Sequence, residues 1–488
     1  MHTDISPGIT LEMTPEQFRR LGYKAVDLIA DNLDRLQKRL EPARRPVPAD
    51  LRHQLLTEPL PERGGEPAEL IEFVERHILP YPRGHINPRF FGWVNSPAAP
   101  ISVIGELLAA GMNSSASGGD QASTYLEHAV LNWLKEMIGF PRDSGALLVS
   151  GGSMAMLIGL AVMRHVKAQA GHMRGKGMQQ ESAPMVVYTS TEGHSCITKA
   201  VELLGIGHNY LREIPVDSNF RMDVTQLEQQ IKTDHRAGLH PVCVVASAGT
   251  VNTGAVDPLD RIADLCQQEN LWFHIDGAYG GLAILAEQAK RWFIGMERAD
   301  SLGIDPHKWM YIPVECGCVM VRDKQAMRDT FSVVPPYLHD DRQLPWFSEF
   351  GSQQTRDFRA LKLWLAIKHI GLEGYRRLIT RDINLAERLR EKIQSRLDFE
   401  LVAAGPLSVT CFRYAPFDSA DLGSLNRSIL EIVQKKGDVY LTSTQLNGEF
   451  VLRANIMNFR TTEADLDFLL DAIAQAGQQV LAFKTQAS

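Results

Sequence analysis

The chain has 488 residues, 44% of them hydrophobic and 22% charged. At about 100–200 residues per domain this allows two to four domains around a sizeable core, and it excludes both a disordered chain and a small disulfide scaffold. Lys and Arg total 51 against 58 Asp and Glu, a net charge of −7, so no broad basic surface is available to a phosphate backbone and nucleic acid is not an expected partner.

In chain order, the amino terminus MHTDISPGIT lacks a basic region followed by an apolar stretch, so no secretory signal is visible and the cytoplasm is the expected location. Thr14 and Pro15 then open an amphipathic helix (PEQFRRLGYKAVDLIADNLDRLQKRL) as N-cap and first helical residue. Its apolar face needs a partner surface. A Pro-rich connector, a second helical stretch and the prolines at 80, 82 and 88 follow, so residues 1–90 read as a helical appendage. From about 120 to 325, short apolar runs alternate with helical segments, the pattern of an α/β sheet with crossover helices. The expected strands are ALLVS, MVVYTS, VCVVASA, LWFHI, SLGI and CGCVMVR. Ser144 to Met163 is uncharged over a length that could span a bilayer. Its central Ser150-Gly151-Gly152-Ser153 instead divides a strand from a buried helix, and no membrane span is expected. Asp257-Pro258 supplies a cap and first position for the crossover helix LDRIADLCQQEN. Cys316 and Cys318 are one residue apart with no matching pair, so they read as core-strand residues and no metal site is expected. The six cysteines, at 196, 243, 266, 316, 318 and 411, fit a reducing compartment. From about 375 the strands LTSTQ and EFVLRANIM and a final helix from Glu463 describe a smaller α/β domain.

Polar residues recur just after the carboxyl ends of the expected strands: Gly151-Gly152-Ser153, Glu192-Gly193-His194, Gly249-Thr250, Asp276-Gly277-Ala278 and Asp305-Pro306-His307-Lys308. Ligands of open α/β sheets bind along that edge. Lys308 is flanked by apolar residues and a proline; burial would lower its pKa and free the amine to attack a carbonyl, whereas the plainer reading is a loop lysine reaching solvent. Asp276 follows an almost wholly apolar strand, with Gly277 and Ala278 leaving room for something flat. It could cap the next helix. It could equally pair with the ring nitrogen of pyridoxal phosphate and keep that ring an electron sink. Asp276 and Lys308 are 32 residues apart, enough for both to face one ring from different strand ends. Gly152 and Ser153, between a strand and a helix, offer free N–H groups to a phosphate; no GxGxxG with an acidic partner supports a dinucleotide. His194 could stack on the ring or be structural.

At this point HIDGAYGG followed by DPHKWMYIP resembles the pyridoxal-phosphate-dependent group II amino-acid decarboxylases, the family that includes aromatic-L-amino-acid, glutamate and cysteine-sulfinate decarboxylases. NPRFFGWV, TYLEHAVLNWL, PPYLHD, FRALKLW and FVLR extend the resemblance over nearly the whole chain. It implies pyridoxal 5'-phosphate as cofactor and an α/β fold of the PLP-dependent transferase fold type I. That fold has a large domain (91–375) with a mostly parallel seven-stranded sheet flanked by helices, a small C-terminal α/β domain (376–488), and an N-terminal helical segment (1–90) packing on the partner subunit of a homodimer whose active sites lie at the interface. It implies that Lys308 forms the imine with the cofactor, Asp276 pairs with the pyridine nitrogen, Ala278 contacts the ring, His194 stacks on it and Thr250 borders its substituents. Gly152 and Ser153 would bind phosphate, His307 would support cofactor and substrate, and Tyr337 would be the mobile-loop proton donor. There are two departures: glycines at 151 and 152 replace serine and alanine of aromatic decarboxylases, and Asp305 stands where several relatives carry asparagine.

The expected reaction is decarboxylation of an L-amino acid to its amine, with an aromatic substrate favoured. His85, Phe91, Trp93, Asn95 and Asn113 form the expected pocket, Trp93 offering a flat wall to an aromatic ring. Phe90 and Phe91 have the plainer reading of core residues. An acidic substrate would need an arginine for its second carboxylate, and Arg453 is the candidate. An aldehyde synthase, a transaminase and a non-catalytic binding homologue remain as alternatives.

Overall fold

The computed structural model describes residues 11–168, 173–333, 344–417 and 421–487; Tyr337 lies outside them. The apolar runs form β1 (Gly145–Val149), β2 (Met185–Ser190), β3 (Leu211–Ile214), β4 (His240–Ser247), β5 (Trp272–Gly277), β6 (Ser301–Ile304) and β7 (Gly317–Val321). They pair in the order β1-β7-β6-β5-β4-β2-β3. β7 alone runs against its neighbours, while the others are parallel. Six strands therefore end at one edge. β1, β2, β6 and β7 are buried at every position, as expected of a sheet covered on both faces, and this is why they read as unbroken apolar runs. β3 does not: LREI buries only Ile214 at the outer edge, so nothing in its pattern announced a strand.

The uncharged stretch after β1 is the helix Gly152–Lys167, buried almost continuously from Ala155 to Met163. Among the described residues no helix is long and apolar enough to cross a membrane. Asp257 does not cap the next crossover helix, Leu259–Gln268, whose N-cap is Pro258. Its carboxylate accepts instead from Met222 N (2.7 Å) and Ser247 N (2.7 Å), tying the end of β4 to the preceding turn. A buried acceptor with two main-chain donors in reach is held there more firmly than at a helix end.

The carboxyl-terminal part adds β8 (Phe399–Ala404), β9 (Val409–Tyr414), β10 (Thr442–Leu446) and β11 (Glu449–Asn455), an antiparallel sheet ordered β10-β11-β9-β8. Helices Leu422–Lys436 and Glu463–Ala487 add apolar residues to its separate core. The long helix Arg359–Gln394 is interrupted at Gly371, whose φ of 71° only glycine adopts at little cost. Beyond the break it serves the large core through Ile383 and the small core from Ala386.

Thr14 caps the helix Pro15–Gln37 in a reciprocal capping box with Gln17. Arg39 and Arg89 converge on Asp465, at 2.8 and 3.1 Å, and fasten the amino-terminal segment to the last helix. Phe18, Tyr23, Val26 and Ile29 on the first helix stay exposed, as do Ile104, Leu107, Leu108 and Met112 on the helix Pro100–Met112.

Candidate active site

Five strand-end segments line one cavity of about 350 Å³, including Gly151, Gly152, Ser153, His194, Thr250, Asp276, Ala278, His307 and Lys308. The cradle comes first. After β1 the chain turns at Gly151 into a helix with no side-chain cap, which leaves its first N–H groups and the positive end of its dipole facing the cavity. A β-carbon on Gly152 would lie 2.8 Å from Ala278 Cβ, so no larger residue fits against that wall. The antiparallel register sets Gly317 opposite Val149, where a β-carbon would come within 2.5 Å of Gly151 Cα. Only glycine allows the cradle and β7 to approach so closely.

Lys308 stands one turn beyond β6. Its Nζ lies 3.0 Å from Asp305 Oδ2, with both side chains largely buried. Asp276 accepts from Ala278 N at 3.1 Å, a local turn rather than a helix cap. Burial pushes the Asp276 carboxyl above the usual carboxylate range, while the nearby Lys308 charge, the bond from Ala278 N and His194 pull the other way. His307 Nδ1 is 2.7 Å from the Cys316 carbonyl and 3.3 Å from Cys316 N, which fixes the ring against that residue, and burial holds the imidazole pKa below its ordinary value. His194 is exposed at the mouth, and its Nδ1 accepts from Cys196 N at 3.2 Å. Thr250 is buried, its hydroxyl 3.0 Å from that of Thr253.

The five residues expected to form a side-chain pocket do not line this cavity. Phe91 is 1% exposed in the core of the small domain. Its N–H donates to Tyr440 O at 2.6 Å and its carbonyl accepts from Asn455 N; splicing the chain onto the small sheet turns the ring inward, which removes Phe91 from the pocket. Asn113 is the left-handed C-cap of the helix Pro100–Met112, which accounts for an asparagine there. His85 packs edge-on against Phe90 at 6.5 Å, and Asn95 is half-buried outside the cavity. Trp93 is 37% exposed, with the Arg83 guanidinium 4.5 Å from its ring. The segment still borders the site, because Ser96 Oγ donates to His307 O at 3.0 Å.

Arg453 is also accounted for. Its Nε donates to Val251 O (2.8 Å) and Asn252 O (3.1 Å), Nη1 donates to Trp93 O (3.2 Å), and Nη2 donates to Val251 O. Burial lowers its pKa. Its four bonds to main-chain carbonyls hold it against Val251, Asn252 and Trp93, and it does not line the cavity.

Sequence reasoning assigned no role to Glu192, Cys196, Ser247 or Tyr279, which also line the cavity. Glu192 stands in the segment that led to His194, and burial raises its pKa. Tyr279 follows Asp276 by three residues, and its hydroxyl joins Ser408 (2.9 Å) and Asn455 (3.3 Å) of the small domain. An aromatic residue inside a glycine-rich strand end was the available signal.

The model of the family described as "Pyridoxal-dependent decarboxylase conserved domain" matches residues 48–415, three quarters of the chain. The protein belongs to that family. This decarboxylase is similar to an aromatic-L-amino-acid decarboxylase of Bacillus atrophaeus, 35% identical over 483 residues, covering 96% of this chain and 97% of the relative. It is also similar to a phenylacetaldehyde synthase of Petunia hybrida, 28% identical over 461 residues and 90% of each chain. Among solved structures it is similar to that of Oryza sativa TDC with PLP and tryptamine, with a TM-score of 0.90, 25% identity, and coverage of 97% of this chain and 100% of that one. The decarboxylase is a carboxy-lyase of fold type I that works with pyridoxal phosphate. Its cavity suits that cofactor: a glycine cradle open to an anion, an amine 3.0 Å from a buried carboxylate, and a second buried acid, Asp276, converge on one space of small-ligand size.

Proposed function

We propose that this decarboxylase removes the α-carboxylate of an aromatic L-amino acid, giving the amine and carbon dioxide, as a cytoplasmic homodimer. The observation that carries the substrate class is Arg453. With its guanidinium engaged by carbonyls, the described cavity lining offers Lys308 as its only lysine or arginine and no second such cation for an acidic side chain. The Bacillus relative supports the same class. Incubation with the twenty amino acids and hydroxylated aromatic ones, read by carbon dioxide release and product identity, tests it. Aromatic substrates are expected to exceed glutamate in kcat/KM by about a hundredfold or more, since an unpaired carboxylate is costly to desolvate. Equal or faster turnover of an acidic amino acid would remove the reading.

The bound cofactor supplies an electron-poor conjugated ring that accepts the electron pair left by the departing carboxylate. Lys308 would hold the cofactor through its Nζ at the aldehyde carbon. Gly152 and Ser153 N–H groups hold the phosphate. Asp276 would hold a proton on the ring nitrogen. His194 would stack on the ring, Ala278 would contact it and Thr250 would border its substituents, while His307, fixed by Cys316, would support the cofactor beside the lysine. Tyr337 would deliver a proton to the substrate α-carbon. Tyr337→Phe is therefore expected to cut amine formation at least tenfold and to divert product toward the aldehyde, with oxygen consumed and hydrogen peroxide released. An oxygen electrode beside amine quantitation reads this, and unchanged amine yield without oxygen uptake would refute the role.

The exposed apolar faces of the helices Pro15–Gln37 and Pro100–Met112 support the homodimer, with residues 1–90 wrapping the partner and exposed Trp93 walling its site. Domain limits near 90 and 375 follow from the same reading. Six buried, unpaired cysteines support a reducing compartment.

A further inference from the structure

Asp305 has no part in the roles above, yet it lies against the cradle. It is 3% exposed. Its Oδ2 is 3.0 Å from Lys308 Nζ and 3.7 Å from His307 Nε2, while Oδ1 is buried without a hydrogen-bond partner among the described residues. A β-carbon on Gly152 would lie 3.2 Å from Oδ2 and 3.6 Å from Oδ1, and one on Gly151 would lie 3.9 Å from Oδ1. The carboxylate thus faces the two glycines that turn the chain into the phosphate-binding helix end.

Two deprotonated oxygens cannot share that space. A carboxylate accepts hydrogen bonds and donates none, and the same holds for a phosphate dianion, so the pair is compatible at contact only with a proton between them. Without cofactor, the Lys308 ammonium balances Asp305. When Nζ binds the aldehyde carbon, the aldehyde oxygen leaves as water with two of the ammonium's protons, and the one positive charge left on the nitrogen is shared with the cofactor instead of balancing Asp305 alone. Of the other titratable groups around Asp305, Asp276 at the end of β5 adds negative charge, burial raises the thiol pKa of Cys196 and of Cys316, and burial keeps the His307 pKa low; Lys362 and Arg359, whose charges reach Cys316, are already paired with Glu106 and Glu315, each at 2.8 Å.

We propose that Asp305 takes up one proton as the cofactor's phosphate enters, and holds it between Oδ1 and a phosphate oxygen, so that cofactor loading is coupled to proton uptake. This inference rests on the reading of the cavity as the pyridoxal phosphate site.

The test is titration of full-length apoprotein with pyridoxal phosphate in weakly buffered solution, with an indicator dye reporting protons and visible absorbance reporting binding, for the wild type and Asp305→Asn. The wild type is expected to absorb about one proton per site more than the variant, and its cofactor Kd to rise about tenfold per pH unit more steeply between about pH 7 and pH 9, as linkage requires. Phosphorus-31 NMR of the wild-type holoenzyme gives a second reading, with a resonance displaced from that of a free dianion. Equal proton uptake in the two proteins while the visible band forms would overturn the role of Asp305 alone. Absence of any band would overturn the cofactor site and the inference with it. If Asp305→Asn does not fold, the wild-type spectrum decides: a resonance fixed at the dianion position across the pH range refutes the proposal, and a displaced one sustains it.

Discussion

Lys308→Ala will yield a protein that stays colourless with pyridoxal phosphate, gives no borohydride-trapped adduct, and turns substrate over at least about ten-thousandfold more slowly, the scale of loss when a covalent catalytic group is removed. The backbone should survive, since its local bonds, Lys308 N to Asp305 O and Tyr311 N to Lys308 O, do not involve the side chain. Stability should still fall. Asp305, 3% exposed, loses its counter-ion, and an unpaired charge in such a place costs about 3 kcal/mol. The double variant Lys308→Ala/Asp305→Asn should recover most of that in urea unfolding while regaining no turnover, which separates the structural role of the ion pair from the chemical role of the amine. Lys308→Ala retaining a trapped adduct and turnover within tenfold of the wild type would end the mechanism argued for this cavity.

The chain advertised its central sheet because strands buried on both faces must be apolar throughout, and chemistry placed at their ends interrupts the pattern with Gly, Asp, His and Lys. That is why Lys308, Asp276 and the Gly152-Ser153 cradle could be read in sequence as members of one edge. What was not legible depends on partners far away in the chain. Arg453 looked like a free cation beside a strand; its carbonyl partner on Trp93 is 360 positions away. Phe91 and Asn113 have the residue types of a pocket, but one is turned into the small-domain core and the other ends a helix. Asp257 had the local form of a helix cap and was claimed instead by two main-chain donors. β3 carries an Arg and a Glu on an exposed edge, and β8 buries only Phe399 fully, so local periodicity gave neither away. Local patterns report burial and chemistry; they do not report which distant group satisfies a polar atom.

The largest stability effect is expected at a pair that the sequence did not reveal, Glu127 and Arg356. Their side chains are 0% and 1% exposed. Arg356 Nη2 donates to Glu127 Oε1 at 2.6 Å and to Leu148 O at 2.7 Å, and Nη1 donates to Glu127 Oε2 at 3.2 Å and to Ala116 O at 2.6 Å. Glu127 Oε1 accepts in turn from Leu148 N at 3.3 Å. The pair therefore grips β1 two residues before Ser150, where the cradle begins. Arg356→Met should cost about 3–5 kcal/mol by leaving a buried carboxylate without its cation and two carbonyls without donors, a large part of the roughly 5–15 kcal/mol that stabilises a domain. Cofactor affinity should weaken with it, since β1 carries the phosphate-binding turn. Glu127→Met/Arg356→Met should restore part of the loss, because no charge is then left buried. The sign of the pH dependence follows from Glu127. Burial already pushes its carboxyl above the ordinary range against the opposing pull of Arg356, and removing Arg356 raises it further, so the folded variant binds a proton that the unfolded chain releases above about pH 4. Stability of Arg356→Met should accordingly fall as pH rises from that point, and its deficit against the wild type should be smaller at about pH 5 than at about pH 8. Urea denaturation of the apoprotein at both values measures this; a deficit under about 1 kcal/mol, or one independent of pH, would mean that β1 is held by its pairing with β7 and not by this buried charge pair.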